Sequence, residues 1–236
     1  MQVQTFLAVD GDLKAEFEVR PGTHDPNIVQ EIWDKHFYRA EGYEIKPGDY
    51  VVDIGAHIGS FTVWALKQGA SVMAFEPDKT NYWMLMNNVN TAKSGDEPMG
   101  EADLHNVAVK GVGGIFFIDR GAEGQPNTGG YKIVEEMTGE SVEVVQSMDA
   151  YDVLTKRTKI DFLKLDCEGS EYDILASVAD TDILEKCVDK IVMEWHFNKE
   201  KAEKVVVLLE SKGFTVTEFS TNPDAPEPLG RIMAKK

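Results

Sequence analysis

From about residue 48 onward the chain alternates two hydrophobic rhythms. "DYVVDI" (49–54) is a short β-branched run of the kind a strand buried on both faces carries. Ile58, Phe61, Thr62, Ala65 and Leu66 then recur at helical spacing, and Gly69 marks the stop. "SVMAFE" (71–76) predicts a second strand, and Tyr82, Leu85, Met86 and Val89 a second helix that ends before "SGDEPMG" (94–100). "ADLHNVAV" (102–109), "IDFLKLD" (160–166) and "KIVMEW" (190–195) predict three more strands. Ser170 and Asp173 are placed to cap a helix carrying Ile174, Leu175 and Val178. Ala202, Val205, Val206 and Leu209 give a last helix with Gly213 at its C′ position. "FTVTEFS" (214–220) and "GRIMAK" (230–235), joined by a proline-rich loop, predict an antiparallel hairpin at a sheet edge.

The interval 111–148 departs from that rhythm. "GGIFFID", "GGYKIVEE" and "ESVEVVQS" predict extra short strands around the glycine-rich "RGAEGQPNTGG", an insertion of the sort that carries binding residues. Residues 1–47 form a second addition, with a helix expected near "PNIVQEIWDKHF". The expected organisation is an accessory segment, 1–47, and one domain of α/β class, 48–236.

Composition narrows the partners. Twenty-four Lys and Arg against 41 Asp and Glu give a net charge of −17, which repels phosphate backbones, and no basic run overrides it. No nucleic acid is expected, and no membrane, because no stretch approaches the length of an apolar span. Cys167 and Cys187 form no C-x-x-C, so a reduced thiol pair and a cytoplasmic setting are expected. The start, "MQVQTFLAVDGD", has no leader pattern. The oligomeric state has no signal in the sequence.

The chemistry gathers first in "DIGAHIG" (53–59). Ligands of open parallel sheets sit at the carboxyl ends of the strands. Gly55 and Gly59 let the backbone come close there, with Ala56, His57 and Ile58 between them and the helix N–H groups aimed at the same point. Glu76 closes the second strand, where a carboxylate accepts from two ribose hydroxyls, and Pro77 fixes the exit. Asp53 suits a cationic ammonium group and is poorly placed against a pyrophosphate. The pattern D-x-G-x-x-x-G also lacks the central glycine of a dinucleotide site. Asp53 and Glu76 together match S-adenosyl-L-methionine, which has a ribose and an ammonium but no phosphate.

With those residues in place the chain resembles the FkbM family of S-adenosylmethionine-dependent methyltransferases. "VVDIGAHIGSFT" and "VMAFEPDKTNYWMLMNNV" resemble its first two motifs, and "SMDAYDVL", "IDFLKLDCEGSEYDIL" and "IVMEWH" its later blocks. The likeness spans roughly residues 48 to 196, and position 57, usually Asn in that family, is His here. The resemblance implies a Rossmann-like fold with a seven-stranded sheet whose last strand is antiparallel. It also implies O-methylation of a hydroxyl on a small molecule or glycan.

A hydroxyl acceptor needs a base. Asp166 follows the fourth strand and Glu168 comes just after it, while Glu194 and His196 share a face at the end of the fifth. These four are the catalytic candidates, and His196 has the ordinary pKa for a base near neutral pH. Glu171 reads as a first-turn helix residue, and Cys167 lacks an activating base. Asn106, near the end of the third strand, is the candidate for holding adenine. Asn127 and Thr128 offer hydrogen bonds to an acceptor, and Trp33, His36, Phe37 and Tyr38 read as core. No metal is expected. Two further readings stay open: an inactive S-adenosylmethionine-binding scaffold or sensor, and a methyltransferase of protein or nucleic acid.

Overall fold

The computed structural model describes residues 2–94, 99–121, 126–136 and 142–236. It begins with an antiparallel hairpin, β1 (Gln4–Asp10) and β2 (Leu13–Val19), which none of the expectations above includes. The two-residue turn Gly11-Asp12 between two alternating segments is the signal that marks it. Helix α1 (Asp25–Trp33) follows with a proline in its first turn. Then come β3 (Tyr50–Ile54), α2 (Ser60–Lys67), β4 (Ser71–Phe75), α3 (Lys79–Lys93) and β5 (Ala102–His105). Asp78 caps α3, accepting from the backbone N–H groups of Thr80 and Asn81.

The run expected as one third strand breaks after His105. Its second half is β6 (Ala108–Lys110), which joins another sheet with β7 (Gly114–Asp119), β8 (Lys132–Val134) and β9 (Val142–Asp149). Asn106 sits at the break, its amide nitrogen bonded to the carbonyls of Glu76 (2.9 Å) and Pro77 (3.0 Å). The remaining elements are α4 (Ala150–Thr155), β10 (Phe162–Leu165), α5 (Glu171–Ser177), α6 (Ile183–Cys187), β11 (Lys190–His196), α7 (Lys199–Ser211), β12 (Thr215–Phe219) and β13 (Leu229–Lys235).

Seven strands form the central sheet in the order β12-β13-β11-β10-β3-β4-β5. All are parallel except β13, which runs antiparallel to both neighbours. The late pair is antiparallel as expected, but β13 is slotted between β11 and β12, so β12 alone makes the edge. The strand order reverses between β3 and β10, which puts a crevice at their carboxyl ends.

The two faces of the sheet bury separate apolar clusters. Val51 and Phe162 point toward α2, α3 and the N-terminal hairpin, with Phe17, Trp33, Phe61 and Leu85. Val52, Ile54, Leu163 and Leu165 point the other way, onto Ile174, Leu184, Trp195 and Leu209. Among the described residues no helix is long and apolar enough to cross a membrane.

Candidate active site

The loop after β3 turns directly under the chain leaving β10. Gly55 has a φ of +85°, and a Cβ on it would lie 1.6 Å from the backbone oxygen of Asp166, so no other residue fits. The N–H groups of Gly55 and Ala56 both donate to the Phe75 carbonyl at 3.0 Å, which ties this loop to the end of β4. Glu76 follows there and is buried. Its two oxygens accept from the N–H groups of His57 (2.8 Å) and Asp78 (2.9 Å). Burial, with Asp78 nearby, still pushes the Glu76 carboxyl up to about 7.

Asp53 does not face the cavity as expected. In the parallel register Lys164 lies directly opposite Asp53, and both point to the same side of the sheet. The Lys164 ammonium donates to Asp53 Oδ1 (2.9 Å) and the Gly55 carbonyl (2.8 Å), while Thr62 Oγ1 donates to Asp53 Oδ2 (2.6 Å). The cation Asp53 attracts is therefore the protein's own. Burial works against the Lys164 charge, but Asp53 and Asp166 outweigh it and hold its pKa above the ordinary value. The sequence signal was a lysine inside the apolar run "FLKL", which needs a buried counter-charge.

His57 anchors a polar network contributed by four distant stretches. Its Nε2 lies 3.0 Å from Thr128 Oγ1, which donates to Asp25 Oδ1 at 2.7 Å. Arg20 grips Asp25 through Nε (2.8 Å) and Nη2 (2.9 Å), and also donates to Asn81 Oδ1 (2.8 Å). Asn81 in turn donates to the Thr128 carbonyl at 2.9 Å. Burial depresses the His57 pKa to about 4 despite Asp25, so the ring is neutral. The Thr128 hydroxyl is thus spent on the protein, and Asn127 Oδ1 accepts from the N–H groups of Gly129 and Gly130 at 3.2 Å. The remainder of "RGAEGQ" before Pro126 lies largely outside the described residues.

Beyond β10 and β11 the carboxylates collect. Tyr38, expected in the core, donates to Asp166 Oδ2 at 2.6 Å. Burial works against ionisation of Asp166, and Lys164, His196 and that hydroxyl outweigh it, holding its pKa below the ordinary value. Glu171 is more than a helix-dipole residue. Its oxygens accept from the N–H groups of Cys167 and Gly169 (2.8 Å each), and Oε1 lies 3.0 Å from His196 Nδ1. Burial alone would discharge His196, but Glu171, Glu168 and Asp166 push its pKa up to about 10. Near neutral pH it is an imidazolium, which removes it as the free base expected from its ordinary pKa. Burial lifts Glu168 to about 7 and Glu194 well above the ordinary carboxylate value. Burial also raises the Cys167 thiol, in keeping with an inert role.

These groups line one cavity of about 570 Å³. Of the expected residues it brings together Gly55, Ala56, His57, Glu76, Pro77, Asp166, Glu168, Glu194 and His196. Ile58 instead points into the core and its carbonyl accepts from Asn88 Nδ2 (2.8 Å), while Gly59 shapes the start of α2. Val107 takes the cavity position expected of Asn106, whose amide nitrogen braces the β4 exit. Ser60 was missed. It is buried on the cavity wall, and its Oγ and His57 Nδ1 have no hydrogen-bond partner among the described residues.

A sequence model of the FkbM methyltransferase domain matches residues 53–216, which carry every element of this site from Asp53 to His196. The chain belongs to the FkbM methyltransferase family. It is 31% identical over 244 residues to a 31-O-demethyl-FK506 methyltransferase of Streptomyces tacrolimicus, covering 89% of each chain. It is 27% identical to methyltransferase sdnD of Sordaria araneosa, again covering 89% of each. In fold it is similar to the magnesium protoporphyrin IX methyltransferase of Synechocystis PCC 6803, with a TM-score of 0.50 and 12% identity, over 89% of this chain and 78% of that one. The enzyme is an FkbM-family methyltransferase with a Rossmann-like sheet.

Proposed function

We propose that this FkbM-family enzyme transfers a methyl group from S-adenosylmethionine to a hydroxyl of a small molecule or glycan, in the cytoplasm and without nucleic-acid or membrane partners. The observation that carries the reading is one cavity that joins Glu76 and the glycine turn at one end to Asp166, Glu168, Glu194 and His196 at the other. The residues fit the cofactor. Glu76 keeps lone pairs for ribose hydroxyls, and the partnerless Ser60 Oγ and His57 Nδ1 provide polar contacts beside it. The turn at Gly55 leaves no room for a Cβ. When bound, S-adenosylmethionine supplies the activated methyl group.

The protein's task is alignment and proton removal. Glu168 lines the cavity and makes no hydrogen bond among the described residues, so it is the base that takes the acceptor's proton. Asp166, fixed by Tyr38 and Lys164, stays ionised and orients the hydroxyl. Phe37, Tyr38 and Phe197 give the acceptor end apolar walls, as an uncharged ring or sugar face requires. The Streptomyces relative, a 31-O-demethyl-FK506 methyltransferase by name, supports an O-methyl acceptor.

The test is a calorimetric titration with S-adenosylhomocysteine and, separately, with NAD. Micromolar binding of the first and none of the second is expected, weakened at least tenfold in Glu76→Ala. Glu168→Gln should keep that affinity and lower kcat by about 10²–10⁴-fold on any accepted hydroxyl. Equal binding of both ligands, or unchanged affinity in the Glu76 variant, would overturn the reading.

A further inference from the structure

Asp166, Glu194 and His196 each present one ligand-type atom to a common point, all within 4.8 Å of one another. Carboxylate clusters are common, so the histidine decides what this one is for. The His196 side chain is only 8% exposed. Its Nδ1 is held by Glu171 at 3.0 Å, and Glu171 is itself pinned by two backbone N–H groups. Its Nε2, in the ring that lines the cavity, is ion-paired with Asp166 Oδ1 and Glu168 Oε1 at 3.8 Å each, too far for a hydrogen bond, and makes none among the described residues. A buried imidazole oriented by a carboxylate through one nitrogen, with the other open toward acidic side chains, is how proteins prepare a histidine to ligate a metal. Glu194 adds a second mark: its carboxylate lines the cavity and makes no hydrogen bond among the described residues.

We propose that Asp166, Glu194 and His196 form a divalent-cation site at the acceptor end of the cavity. One nitrogen and two carboxylate oxygens suit a cation of the Mn²⁺ or Mg²⁺ kind, with the rest of its shell left to water and the acceptor. The ion replaces the Nε2 proton of the imidazolium, which is released to solvent, while Nδ1–H remains donated to Glu171. Beside Glu168 it draws the acceptor oxygen toward the base and stabilises the alkoxide as its proton leaves for the Glu168 carboxylate. The binding site stands on the geometry alone; this role rests on the methyl-transfer reading above.

The experiment uses the whole chain, stripped with EDTA and desalted. Mn²⁺ is titrated in while the free aquo-ion signal is followed by electron paramagnetic resonance. One ion per chain is expected at micromolar affinity, with pulsed measurements showing one directly bound imidazole nitrogen. Glu194→Gln should weaken binding at least tenfold, and His196→Gln should abolish the nitrogen coupling. The wild-type coupling decides the matter if either variant misfolds. No stoichiometric binding, a bound ion without nitrogen coupling, or equal affinity in a folded Glu194→Gln variant would overturn the proposal. Calorimetry with S-adenosylhomocysteine in EDTA, run on the same preparation, reads the cofactor end separately. Its failure with Mn²⁺ binding intact would count against the methyltransferase reading and leave the cation site standing.

Discussion

Position 57 has a backbone φ of +52°, a left-handed conformation that most side chains avoid and that histidine and asparagine tolerate best. This chain's histidine therefore meets a backbone demand that asparagine would also meet. The histidine adds a titration. Arg20, Asp25 and Thr128 face the ring, with Asp166 and Lys164 acting at longer range. Its folded pKa, about 4, lies below the ordinary 6.5, so between those values the unfolded chain holds more protons. This contribution to stability is complete above about pH 6.5 and is lost as pH falls toward 4. The loss amounts to roughly 3 kcal/mol. His57→Asn should flatten that part of the pH profile in urea denaturation; an unchanged slope would show that the ring is not held neutral. Lys164 and Asp53 form the other residue-scale commitment. Lys164→Met leaves a buried carboxylate without its partner and should cost about 3–5 kcal/mol. Asp53→Leu with Lys164→Met should recover much of it, and a double-mutant cycle with no coupling would contradict the pairing.

At the scale of elements, strand β13 depends on a glycine for a different reason. A Cβ on Gly230 would lie 1.9 Å from the Ser220 oxygen and 2.6 Å from Trp195 Nε1, the two groups that bond to each other at 3.0 Å. Gly230→Ala should push β13 off β11 and cost at least about 1–3 kcal/mol, read as a lowered melting temperature. A melting point within error of the parent would mean that the strands part without strain. The central strands were legible because each is a short apolar run bounded by turn residues, and burial on both faces leaves no other use for such a run. Two elements were not. The first half of "ADLHNVAV" and the second belong to different sheets, and only the bonds Asn106 makes to chain thirty residues earlier decide the break. On the outer face of the β1–β2 hairpin, β1 exposes Leu7 and Val9 while β2 presents Lys14 and Glu16, so apolar alternation alone did not announce it.

Over the whole molecule, what the sequence could show of the site follows separation along the chain. Gly55, Glu76 and the "KLDCEGSE" block are local patterns, and they reach the cavity. The partners of His57 lie 37 and 71 residues away, and Asp25 meets Thr128 across 103. No periodicity reports such pairings. They appear only when the N-terminal segment and the insertion fold against the same glycine turn. The N-terminal segment also lends Tyr38 to Asp166 across 128 residues, which explains why an aromatic cluster that reads as core ends at the acceptor.

The Thr128 latch has a kinetic meaning. Residues 127 and 129–131 wall the cavity, and the bonds that hold this wall are buried rather than exposed to competing water. Parting it breaks several bonds at once, so ligand residence time becomes a property of the wall as much as of the contacts inside. Thr128→Val should leave the fold intact while speeding release of S-adenosylhomocysteine at least tenfold in stopped-flow displacement. An unchanged off-rate would mean that ligands leave by another route. Where release limits turnover, the variant will then be the faster enzyme at saturating substrate, and viscous solvent will slow the parent more than the variant.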